Sequence, residues 1–235
     1  MKSELSLSIE HLYNVFGTYH FDASEFKSHS CPCCYDRKVG VLATTPLHAL
    51  TSDDLECYQI SSIYTIGTIA HYKHFLPRIL ELIAQPNNDL ISNFLISDKL
   101  TYAEWETWPE EEIKAIDLFF EALSESFIHL ETVSDYYFSD LLQLLNRYSV
   151  FTKFINSWFA SISSKNYSYI VSGVLYGFPF KVNDNQYQLI TNHLFSKNTL
   201  DTLQDIYFKT TDIVEANLIS ITYTILENKH PITFH

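Results

Sequence analysis

GTIAHYKHFLPRILELIAQ, residues Gly67 to Gln85, is the stretch on which the reading of this chain turns. Ile69, Tyr72, Leu76, Ile79 and Ile83 recur at alternating spacings of three and four, which puts them on one side of an α-helix. His71, His74 and Arg78 fall on the other side, where the spacing predicts a solvated polar face with a weak Arg78–Glu81 pair, or else an Arg78 that anchors the cysteine loop. Pro77 lacks an amide hydrogen and crowds the carbonyl four residues earlier, so it predicts a kink, or a break and restart.

Working outward, Leu5, Ile9, Leu12 and Phe16 predict a first helix ended by Gly17. From His20 to Leu50 the period is lost, and the segment reads as a long ordered loop. Loops of this length are uncommon inside compact domains, so something should pin it. Thr51 and Asp54 have the spacing of a capping box, starting a helix expected over Leu55 to Ile66 and closed by Gly67. Downstream, Pro86-Asn87-Asn88 reads as a turn, Asp89 as the cap of a short helix through Ile96, and Thr101 to Trp105 as one further turn. Thr107-Trp108-Pro109 opens a longer helix that buries Ile113, Ile116, Phe120, Leu123 and Phe127. Ser134 should cap a helix to Arg147. Val150 to Ser163 is apolar over most of its circumference and should be central.

Tyr167 to Tyr176 would suit a buried strand as well as a short helix, and is read as helix. Asn183 to Phe195, Thr199 to Phe208 and Asp212 to Glu227 complete the set. The expected fold is all-α: about ten helices in one compact domain over residues 1–235, arranged as stacked antiparallel pairs. Only 5 glycines serve 235 residues, which leaves few turns for a many-hairpin β fold.

The charges narrow the function. Fifteen Lys and Arg against 28 Asp and Glu give a net charge of −13, which repels a phosphate backbone and argues against nucleic acid or an anionic membrane as partner. Between Thr101 and Asp140 eleven acids face the single base Lys114. Glu104, Glu106, Glu110, Glu111 and Glu112 crowd around Trp105 and Trp108, and two exposed tryptophans in such a field would anchor a cationic partner. The N-terminal residues lack the apolar core of a secretory signal, and no apolar run approaches the roughly 20 residues of a membrane span. A cytoplasmic protein is expected.

Cys31-Pro32-Cys33-Cys34, the segment Thr45 to Leu55 and His74 to Leu82 together resemble a set of bacterial proteins of similar length that share a CPCC cluster and an HFLPRxLEL-type motif. The resemblance covers about residues 31 to 85. It implies a soluble helical bacterial protein and supplies no activity.

Two chemical readings attach to the cysteines. Cys31 and Cys34 have the spacing of a zinc knuckle, and His71 and His74 could complete a tetrahedral site, with Cys33, His29 and His20 as substitutes. A redox pair would want a strand-to-helix turn before Cys31, which the sequence does not suggest. His129-Leu130-Glu131 matches half of a zinc-deaminase signature, but the cysteines precede it rather than follow. There is no HExxH, GxSxG or GxGxxG. The expected function is therefore a non-enzymatic protein-binding protein with an acidic face, such as an immunity protein that neutralises a basic toxin. The alternative is a zinc-dependent enzyme or a zinc-stabilised scaffold.

Overall fold

The computed structural model describes residues 2–32, 39–85, 93–128, 135–163 and 166–235. Thirteen α-helices are seen among them: α1 Glu4–Phe16, α2 Ala23–Ser28, α3 Val39–Thr44, α4 Ser52–Ser61, α5 Ile69–Ile83, α6 Asn93–Tyr102, α7 Glu110–Ile128, α8 Asp135–Leu145, α9 Val150–Ala160, α10 Ser168–Tyr176, α11 Asp184–Leu194, α12 Lys197–Lys209 and α13 Ile213–Glu227. Short 3-10 turns cover Leu47–Ala49 and Trp105–Thr107. The β structure among the described residues is limited to two isolated bridges. No helix among these residues is long and apolar enough to cross a membrane.

The chain forms two compact units, Met1–Leu123 and Ser124–His235. In the first, α5 is the centre. It runs through Pro77 as one helix. Thr68 and His71 close a reciprocal capping box at its start. Its apolar side chains Tyr72, Phe75, Leu76, Ile79 and Leu80 are fully enclosed, and α1 packs along it with Leu12 and Phe16 inward. Phe21, Phe26, Tyr58 and Phe75 join His71 in an aromatic cluster with centroid separations of 4.7 to 5.9 Å. Gly67, at φ +69°, abuts this cluster, where an added Cβ would lie 2.8 Å from the Phe26 ring.

The second unit is built around α9, which buries Phe151, Phe154, Ile155, Trp158 and Phe159. Phe178 packs on Gly173 of α10 and stacks with Phe234. The C-terminal residues are tied down by hydrogen bonds from the Phe178 amide to the Thr233 carbonyl and from the His235 amide to the Phe178 carbonyl. Capping boxes and caps start α4 at Thr51, α11 at Asn183 and α13 at Asp212.

Several expected boundaries differ. The segment read as a loop over 20–50 holds α2, α3 and a 3-10 turn, because the Asp22 carboxylate caps α2 by accepting the Ser24 and Glu25 amides. The helix expected to reach Ile66 stops at Ser61. The Lys99 ammonium donates to the Ser62 carbonyl at 2.7 Å and the Ile60 carbonyl at 3.3 Å, a cation at a helix C-terminus, and Ile63 then turns at φ +67°. Helix α6 continues through Ile96 to Tyr102, where an interruption was expected. Ser168–Tyr176 is helical, as read, with Tyr167 at its N-cap. The turn at Pro86–Asn88, Asp89, Ser134, Cys33, Cys34 and His129 to Glu131 lie outside the described residues.

The polar side of α5 is also corrected. His71 is 1% exposed and Lys73 7%, while His74 and Arg78 are half-buried. Arg78 Nε donates to the Leu50 carbonyl at 2.7 Å, and its Nη1 donates to Glu81, which also accepts the Tyr13 hydroxyl at 2.6 Å. These groups are enclosed because each has found a distant partner, which offsets the cost of leaving water.

Candidate interaction surface

The surface lies where α6 ends and α7 begins. The chain turns at Glu104, which adopts φ +51°, and the Glu104 carbonyl accepts both the amide and the hydroxyl of Thr107 at 2.8 Å. Trp108 then plunges inward. Its Nε1–H donates to the Ala103 carbonyl at 2.9 Å, its ring meets Phe16 edge-on at 6.2 Å, and the Lys73 ammonium sits 4.1 Å above it.

Glu112 is interior as well. It accepts Lys73 Nζ at 2.6 Å and the Tyr19 hydroxyl at 2.6 Å. Trp108 is 8% exposed and Glu112 6%, so the expectation that both lie on a binding face is overturned. They fasten the turn to α5. Burial and the bond to Glu112 raise the Tyr19 phenol above its ordinary pKa, so it remains the donor in this network.

With that anchor set, Glu104, Glu106, Glu110 and Glu111 point to solvent, and Trp105 is half-buried among them. A shallow groove of about 240 Å³ is lined by Thr101, Glu104, Trp105, Glu106 and Thr107. Tyr102 and Tyr64, 58% and 44% exposed, pack edge-to-face at 4.9 Å. Sequence reading missed these two tyrosines, because Tyr64 belongs to the turn that Lys99 holds; the ammonium lies 4.0 Å from its ring. Further along α7, burial and then the neighbouring Glu121 push the Asp117 carboxyl up, a sign of crowded negative charge.

The metal candidates fare differently from one another. Cys31 is half-buried and its amide donates to the Thr65 carbonyl at 2.8 Å, which seats the start of the cysteine cluster beside the turn before α5. Cys34 lies outside the described residues. His71 Nδ1 accepts the Thr68 amide at 3.1 Å, and its other edge meets the Asp22 backbone and the Glu25 carboxylate, Nε2 to Oε2 3.9 Å. Burial lowers its pKa, and both nitrogens are committed, so it does not fit a ligand's role. His74 Nδ1 donates to the Tyr19 carbonyl at 2.8 Å, the arrangement that leaves Nε2 with a lone pair. Among the described residues, no group of three or more His, Cys, Asp or Glu is arranged to hold a metal.

The chain matches no protein-family model, and no curated protein and no solved structure is similar to it.

Proposed function

We propose that this chain is a non-enzymatic protein-binding protein of the cytoplasm, and that Glu104, Trp105, Glu106, Glu110 and Glu111 capture a basic protein partner. The observation that carries the reading is the exposure of four carboxylates around a half-buried tryptophan, fixed to the core through Trp108 and Glu112. Lys and Arg side chains suit both components, carboxylates for their charge and aromatic faces for cation–π contact. Neutralising a basic toxin, as an immunity protein does, is a role that fits such a surface. The net charge of −13 supports a cationic protein over a nucleic acid.

The test is capture from the native cell. A variant with Glu106, Glu110 and Glu111 changed to Lys should keep its helical circular dichroism and lose the partner that the wild type retains. Retention of that partner by the variant would contradict the reading.

A second reading, a zinc site that supports an enzyme or a scaffold, rests on the free lone pair of His74 Nε2 and the seating of Cys31 nearby in sequence to Cys34.

A further inference from the structure

Helix α13 is uncharged along most of its length yet buries little of itself. Between Ala216 and Leu226 it carries no charged residue, and Ile219, Thr222 and Leu226 are its buried positions. Here Ile213, Val214 and Ile221 are 78%, 68% and 51% exposed, a concentration that marks a contact surface. Grooves run along both sides: one of about 280 Å³ against α12, lined by Tyr207 and Phe208, and one of about 430 Å³ against α10, lined by Val171 and Tyr176. Ile219 lines both grooves, so α13 stands between them as a ridge.

We propose that this ridge and its grooves form an interface with a second copy of the chain, the two α13 helices lying antiparallel about a twofold axis near Ser220. A twofold interface must be self-complementary, and a ridge flanked by grooves meets that condition, since the ridge of each copy can enter a groove of the other. The charges favour the antiparallel sense. They sit only at the ends of the contact, Lys209, Asp212 and Glu215 at one and Glu227 and Lys229 at the other. Pairing centred on Ser220 brings Asp212 within one residue of Lys229 of the second copy, and sets the end with a net charge of −1 (Lys209, Asp212, Glu215) against the neutral end (Glu227, Lys229). A parallel pairing would set like charges against each other. Antiparallel helix dipoles are also favourable.

Net charge points the same way. Ser124–His235 holds ten acids and seven bases, a net of −3, whereas Met1–Leu123 holds eighteen acids and eight bases, a net of −10. Two copies meeting through the C-terminal unit face the weaker repulsion. The uncharged middle of α13 offers nothing to a basic partner, which distinguishes it from the acidic surface.

Sedimentation equilibrium of the full chain between about 1 and 100 μM, a range that spans micromolar association, tests the proposal. The expected species has twice the 27.3 kDa chain mass. Ile221→Glu and Ile213→Glu, both at exposed sites, should keep their helical circular dichroism and associate about 100-fold more weakly, because each buries an unpaired carboxylate in the interface. Should either disturb folding, Lys229→Glu serves instead: it should weaken association about 10-fold, and adding Asp212→Asn, which keeps a capping oxygen, should restore it. A wild type that stays monomeric throughout, or a dimer indifferent to Ile221→Glu and Lys229→Glu, would overturn the proposal.

Discussion

Replacing Glu112 by Ala should destabilise the N-terminal unit by about 3 kcal/mol, because it strands a buried ammonium. In the native protein the side chains of Lys73 and Glu112 are 9% and 7% exposed and 2.6 Å apart. Removing one member of a buried pair costs about 3–5 kcal/mol, since the survivor keeps its desolvation penalty without its counter-charge. Two contacts soften the loss for Lys73: the Tyr19 hydroxyl at 3.1 Å and the Trp108 ring at 4.1 Å. Together they hold the effect near the lower end of that range, although Tyr19 also forfeits its acceptor, worth about 1 kcal/mol. The double change Lys73→Met with Glu112→Leu removes both charges and should recover most of the loss. Urea titration followed by circular dichroism, on the wild type, Lys73→Met, Glu112→Leu and the double, forms a complete cycle, with Glu112→Ala measured beside it. A Glu112→Ala protein within about 0.5 kcal/mol of wild type would refute the claim that this pair fastens the acidic turn to α5.

Burial pushes the pKa of Lys99 down to about 8 from an unfolded value near 10.5, so between those values the unfolded chain binds more protons and stability rises with pH. Wild type should therefore gain on Lys99→Met between about pH 7.5 and 9.5, below the range where tyrosines ionise; denaturation curves showing a constant difference would contradict this. At Gly173 an added Cβ would lie 2.2 Å from the buried Phe178 ring, so Gly173→Ala should cost about 1–3 kcal/mol, visible as a lowered thermal midpoint. The zinc reading expects about one zinc per chain in freshly purified reduced protein, lost in Cys31→Ser and Cys34→Ser. Elemental analysis that finds none removes that reading.

The helical class and most helix starts were legible because they depend on local chemistry. Thr51 with Asp54, and Ile116, Phe120, Leu123 and Phe127 of α7, are visible in a window of a few residues and stand as read, while Ile113 is only half-buried. Asp22 followed by Glu25 was a signal of the same kind, overlooked because α2 is only 6 residues long. What escaped was long-range. The partners of Lys73, His74 and Arg78 lie 39, 55 and 28 residues away, and no periodicity reveals that a polar face is enclosed by them. Likewise Glu112 is one residue from exposed Glu111 in an unbroken acidic run, but one residue turns about 100° around a helix, enough to carry it from solvent to Lys73. The aromatic part of the candidate surface was half visible: Trp105 was found, while Tyr64 depends on a turn that only the Lys99 contact explains.

The most direct test of the central claim is the dependence of the association rate on salt, measured with the captured partner against the wild type and the variant with Lys at 106, 110 and 111. Exposed charges act over a screening length of about 10 Å at 0.1 M salt, so steering by the four carboxylates should fade as salt rises. The account predicts a wild-type rate that falls steeply with added salt, and a variant that associates slowly at every salt concentration. Equal rates and equal salt dependence in the two proteins would contradict it.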